Sequence, residues 1–198
     1  KKMKVAVIGA TGVVGGVIIE LIEKRGFPIS KIIPVASRKS VGNKIMFKGK
    51  QVEIVSMDDA IKMKPDLALF SAGGNTSKEW APKFAEIGTR VVDNSSAWRM
   101  DDSKKLIVSE VNPQVLTKDD YIIANPNCST MQMLVVLAPL HKSFKIKRLV
   151  ISTYQSVSGT GKGAIDQLNN ERKNLECTKI YPIQSVSYTH LRAHETAD

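Results

Sequence analysis

Among the residues of this chain able to do chemistry, Cys128 occupies the most telling place, inside Asn125-Pro126-Asn127-Cys128-Ser129-Thr130. The run before it, Tyr121 to Ala124, has the apolar character of a short buried strand, and the run after it, Met131 to Leu137, that of a helix. At such a junction unpaired backbone N–H groups and the positive end of a helix dipole converge. They favour a thiolate and hold an oxyanion or phosphate beside it. A small buried hydrophobe fits the same position, because isolated cysteines commonly fill cores, and the residue types alone leave both readings standing.

A second group is Gly9-Ala10-Thr11-Gly12-Val13-Val14-Gly15, placed after a strand and opening a helix. A dinucleotide fingerprint needs this context: a tight turn at Gly9, backbone close to a pyrophosphate near Gly12, and helix packed on strand at Gly15. The spacing is G-x-x-G-x-x-G rather than the commoner G-x-G-x-x-G. At the end of the next strand, where NAD sites place a carboxylate for the ribose, this chain has Ser37-Arg38-Lys39-Ser40. Arg38, with Ser37 and Ser40, suits a 2′-phosphate and so favours NADP, against the alternative of a solvated basic loop. Ser71-Ala72-Gly73-Gly74 ends another strand, so Ser71 and Gly73 are either ligand contacts or parts of a plain turn. Arg99, in Asn94-Ser95-Ser96-Ala97-Trp98-Arg99, is a candidate clamp for phosphate or carboxylate, with an ordinary surface arginine as the alternative.

Histidines limit the chemistry. His141 lies thirteen residues beyond Cys128, roughly 20 Å along a continuous helix and too far for proton transfer. His190 and His194, with Glu195 beside them, are at metal-compatible i, i+4 spacing but lie in the unpatterned tail without a further ligand, and no metal is expected.

These residues are carried by alternating elements. Strands are predicted at Met3 to Ile8, Ile32 to Ser37, Gln51 to Val55, Asp66 to Phe70, Thr89 to Asp93, Leu106 to Val108 and Tyr121 to Ala124. Helices fall at Val13 to Arg25, closed by Gly26, at Asp58 to Met63, and from a Thr76-x-x-Glu79 capping box to Ile87. Arg38 to Gly49 reads as a loop. The alternation implies an α/β fold, a doubly wound, mostly parallel sheet of Rossmann type, followed by the start of a second α+β catalytic and dimerisation domain. Residues 1–127 form the first domain and 128–185 an incomplete second one. The second contains a strand at Arg148 to Gln155 and a helix from Lys162 to Glu176, and residues 186–198 form a tail without periodicity.

The 198 residues carry a formal net charge of +10, yet the lysines are scattered and no basic run interleaves with aromatics, so nucleic acid is not expected as a partner. The field suits small polyanions. No apolar run is long enough for a bilayer or a signal-peptide core, so no membrane partner is expected and the expected compartment is the cytoplasm. Cys128 and Cys177 are expected to be free thiols, having neither a disulfide framework nor a C-x-x-C pattern.

Taken in order, Gly9-Ala10-Thr11-Gly12 with Val14-Gly15, Ala36-Ser37-Arg38, Phe70-Ser71-Ala72-Gly73-Gly74, Asp93-Asn94-Ser95-Ser96, Asn125 to Thr130, and Thr153 to Gly159 resemble the motifs of aspartate-semialdehyde dehydrogenase. The likeness runs from about Met3 to about Ser185. It implies NADP-linked, phosphate-dependent interconversion of L-aspartyl 4-phosphate and L-aspartate 4-semialdehyde, on the route to lysine, threonine and methionine. It also implies that Cys128 is the nucleophile forming an acyl-thioester, that Gln155 binds substrate, and that Arg99 and Asn127 belong to a phosphate site. Thr11, Gly12, Val13, Val14, Ser37, Arg38, Ser158 and Gly159 match positions that touch NADP.

The same resemblance implies that full-length members are homo-oligomers associating through the second domain. That domain also supplies a histidine, an arginine and a lysine with no match here, so this chain is expected to be truncated and inactive alone. A rival, N-acetyl-glutamyl-phosphate reductase, typically has glycine where this chain has Asn127. A non-catalytic dinucleotide-binding module shares the glycines but leaves Cys128 without a role.

Overall fold

The computed structural model describes residues 2–175 and residue 180. The expectations for Cys177, His190, His194, Glu195 and the tail fall outside the described residues. The chain divides into two compact units, Lys1–Asn127 and Cys128–Asp198.

The first unit is built on a six-stranded sheet whose paired strands are all parallel. Its strands are β1 (Met3–Ile8), β2 (Ile29–Val35), β5 (Leu67–Phe70), β6 (Arg90–Asp93), β7 (Lys105–Leu106) and β8 (Ile122–Ala124), in the order β2-β1-β5-β6-β8-β7. Strand β1 lies inside the sheet between β2 and β5, and Val5, Ala6, Val7 and Ile8 are all fully buried, as expected of a parallel strand covered on both faces. Its period-two alternation divides the core. Val5 and Val7 join Ile19 and Ile22 of helix α1 (Val13–Lys24), whereas Ala6 and Ile8 join Ala60 of α2 (Met57–Lys62) and Ala81 and Phe84 of α3 (Gly74–Glu86). Phe84 meets Phe70 edge-on, ring centroids 5.6 Å apart. The doubly wound architecture read from the sequence is the one observed.

Three elements differ from expectation. The stretch read as a loop holds strand β3 (Lys44–Phe47), paired antiparallel with β4 (Lys50–Glu53). The two-residue connection Lys48-Gly49 has φ of +49° and +71°, the geometry of a type I′ hairpin, with a lysine where Asn or Asp is the usual signal. Helix α3 begins at Gly74 rather than at a Thr76 cap, because Gly73, at φ +86°, already turns the chain into the helix.

The third difference lies in the second unit, which contains α4 (Cys128–Phe144) and α5 (Lys162–Arg172). Residues 148–155 carry no strand, and Val150 and Tyr154 are exposed. A strand exists only by hydrogen bonding to a neighbour, and no strand is present among the described residues of this unit.

Gly15 and Gly16 give a contrast within one helix turn. A Cβ at Gly15 would collide with the Gly9 carbonyl, whereas nothing lies within 4 Å of one at Gly16. Gly15→Ala is expected to cost about 2 kcal/mol or more by overpacking, and Gly16→Ala to add about 0.5–1 kcal/mol through helix propensity. Denaturant unfolding of the two variants checks both signs.

Candidate active site

The strand order reverses about β1: the chain passes from β1 to β2 on one side and then returns past β1 to β5 on the other. In doubly wound sheets ligands bind beyond the carboxyl ends of the strands at this reversal. Here two turns meet. Gly9 follows β1 at φ +86°, and its N–H donates to the Val35 carbonyl at 2.9 Å. Ser71 follows β5 and donates its N–H to the Ile8 carbonyl at 2.9 Å. A Cβ on Gly9 would strike the Ser71 carbonyl, so the two main chains are packed against each other.

Helices α1 and α3 leave these turns from Gly12 and Gly73. Neither has a side-chain cap or an acidic residue in its first turn, which leaves N–H groups and two dipole ends for an anion. Thr11, Gly12 and Val13 are exposed and Val14 is half-buried. Beside β1, β2 ends in a short 3-10 turn, Arg38–Ser40, closed by the Ser40 N–H on the Ser37 carbonyl at 2.8 Å. Arg38 is exposed and makes no ion pair among the described residues.

A second loop cluster follows β6 and β8. Asp93, 1% exposed, accepts the Ser95 N–H at 3.1 Å and its hydroxyl at 2.6 Å. Ser95 Oγ in turn accepts the Ala97 N–H at 3.1 Å. Arg99 is half-buried and donates through Nε to the Asn125 carbonyl at 2.9 Å and through Nη2 to the Asn94 carbonyl at 3.2 Å. Asn125 Nδ2 donates to Asn94 Oδ1 at 2.8 Å. Arg99 is therefore part of a built loop rather than an isolated surface cation. Two residues further on, the Ser103 hydroxyl and N–H hold the Asp101 carboxyl below the ordinary carboxylate range.

Asn94 and Asn125 were not singled out as site residues from the sequence. Each follows the last residue of a strand, and Asp93 pairs with Ala124 in the parallel register of β6 and β8, which brings the two amides together. That register belongs to the assembled sheet, so no local signal in the sequence marks the pair.

In the second unit, Cys128 is the first residue of α4, directly after Asn127, and it is exposed. Helix α4 continues through Pro139, so His141 stays on the same helix, about 20 Å from Cys128. Gln155 is exposed and donates through Nε2 to Thr153 Oγ1 at 3.3 Å. Ser158 and Gly159 lie in a 3-10 turn, Val157–Thr160, where the Ser156 and Ser158 hydroxyls are 2.7 Å apart and the Gly159 N–H donates to the Ser156 carbonyl. Among the described residues no helix is long and apolar enough to cross a membrane.

The parallel sheet and its paired glycine turns define a dinucleotide-binding domain. Residues 4–119 match the semialdehyde dehydrogenase NAD binding domain, and residues 137–194 the semialdehyde dehydrogenase dimerisation domain. The chain belongs to the semialdehyde dehydrogenase family. Aspartate-semialdehyde dehydrogenase of Aquifex aeolicus is 51% identical over 173 residues, covering 86% of this chain and 51% of that protein. The enzyme of the same name from Shewanella violacea is 45% identical over 191 residues, covering 93% of this chain and 56% of its own. The crystal structure of aspartate semialdehyde dehydrogenase II from Vibrio cholerae, complexed with ASA, superposes with a TM-score of 0.84 at 39% identity, covering 95% of this chain and 58% of that one. The chain thus spans a little over half the length of the relatives it matches.

Asp93→Ala would leave the Ser95 N–H and hydroxyl without their acceptor. A loss of about 2 kcal/mol in stability is expected, with faster amide deuterium exchange confined to residues 94–99. Unchanged exchange there would show that Asp93 does not order the loop.

Proposed function

We propose that this chain carries the cofactor domain and the nucleophile of an NADP-dependent, phosphate-dependent aspartate-semialdehyde dehydrogenase. The observation that carries the reading is the placing of Cys128, exposed at the first position of α4 and next along the chain after the Asn125–Asn127 loop that Arg99 holds. A free-energy argument favours covalent catalysis: an acyl phosphate passed to sulfur becomes a thioester, which is open to hydride where a carboxylate is not.

In the biosynthetic direction the Cys128 sulfur attacks the acyl carbon of L-aspartyl 4-phosphate. The new C–S bond replaces the C–O bond to phosphate, which leaves with that electron pair. Arg99 and Asn127 bind the phosphate and Gln155 orients the aspartyl group. NADPH, when bound, supplies the hydride that converts the thioester to the aldehyde, and Cys128 departs as thiolate.

The turns suit that cofactor. Gly9, Ser71 and Gly73 bring main chain to the dinucleotide, supported by the close approach of the Gly9 and Ser71 turns, and Thr11, Gly12, Val13 and Val14 contact it at the α1 N-terminus. Ser37, Arg38 and Ser40 receive the 2′-phosphate, with Arg38 as its cation. Ser158 and Gly159 complete the contacts. The match of this family's dimerisation domain supports a homo-oligomer as the assembly of the whole protein.

Two measurements test the reading. Incubation with aspartyl phosphate in the absence of NADPH should leave an aspartyl adduct on Cys128, seen by peptide mass spectrometry and absent in Cys128→Ala; an adduct on another residue would exclude this nucleophile. Arg38→Glu should weaken NADP binding by about tenfold or more while leaving NAD binding unchanged. Equal loss of both cofactors would remove the 2′-phosphate assignment.

A further inference from the structure

The loop that bears Arg99 has no helix or strand of its own, so something else must fix where the guanidinium stands. Its first half is tied to the buried Asp93 carboxylate through Ser95. Its second half is tied elsewhere: Trp98 Nε1 donates to Ser77 Oγ at 2.8 Å. Ser77 is 1% exposed and sits on α3, one turn beyond Gly73, whose carbonyl accepts the Ser77 N–H at 3.1 Å. The Trp98 ring also packs against the core cluster that holds Ala81 and Phe84 of the same helix.

We infer that Ser77 and Trp98 are a positioning pair, which sets Arg99 for phosphate by locking its loop to the helix that springs from the Gly73 turn. The inference rests on the reading of Arg99 as a phosphate ligand. Packing alone would hold the ring near α3 but would leave it free to slide and tilt. The directional bond from a buried hydroxyl removes that freedom, and Arg99 is the next residue along the chain. Ser77 is buried, and Trp98 directs its indole N–H to it. Their effect passes through Arg99, so it should fall on the affinity for phosphate and leave the cofactor turn alone.

The test is calorimetric titration of the chain with inorganic phosphate and, separately, with NADP. The variants are Ser77→Ala, Trp98→Phe, the double variant and Arg99→Ala. Trp98→Phe keeps an aromatic ring against the core but removes the donor together with part of the indole, and Ser77→Ala removes the acceptor with little change of shape. Each is expected to weaken phosphate binding about fivefold, as loss of one buried hydrogen bond does. The double variant should be no weaker than either single one, and NADP affinity should stay within about twofold. Phosphate binding unchanged in both single variants but weakened by Arg99→Ala would overturn the positioning role while leaving the phosphate site in place. Phosphate binding unchanged in Arg99→Ala would overturn the phosphate reading and this inference with it. Parallel loss of phosphate and NADP in the single variants would assign the pair to general stability and overturn the inference.

Discussion

The first unit depends on a close approach of main chain to main chain. At the carboxyl end of β1 the Gly9 turn lies against the Ser71 turn on one side and against Gly15 of α1 on another, with no space for a side chain at either contact. Backbone polar groups packed this tightly must be paired, and they are: Val35 accepts from Gly9 and Ala10, Gly9 from Gly12, and Ile8 from Ser71. Moving any one segment would break the hydrogen bonds of the others. The meeting of these turns is consequently a product of sheet packing rather than of loop choice.

Around that point the layers follow from periodicity. Strand β1 alternates between two apolar clusters, one closed by α1 and the β3–β4 hairpin, the other by α2 and α3. Because α3 both leaves the Gly73 turn and receives Trp98, the same helix borders the proposed cofactor crevice and the loop of Arg99. The two proposed functional regions of this unit thus share one helix instead of hanging on independent loops.

Much of this was legible in the residues. Val5 to Ile8, the glycines after it and the apolar period of α1 specify a strand-turn-helix unit by local rules, and the repeating alternation fixes the fold class. The hairpin was hidden because its turn places Lys48 in the left-handed region, where propensity expects Asn or Asp. A strand at residues 148–155 was suggested by β-branched residues, but strand formation is decided by a partner, which composition does not reveal. The Asn94–Asn125 contact depends on register between β6 and β8 and so appears only once the sheet is assembled.

The cross-ties of the second loop cluster have an entropic consequence. Asn125 bonds through its side chain to Asn94 and through its main-chain N–H to Asp93, Arg99 spans both loops, and Ser95 is held from below. Rotamer and backbone freedom in these residues is surrendered when the sheet folds, not when a ligand arrives. The proposed phosphate site would thus offer donors already ordered, leaving more of the interaction energy to appear as affinity and less to be consumed in arranging the protein.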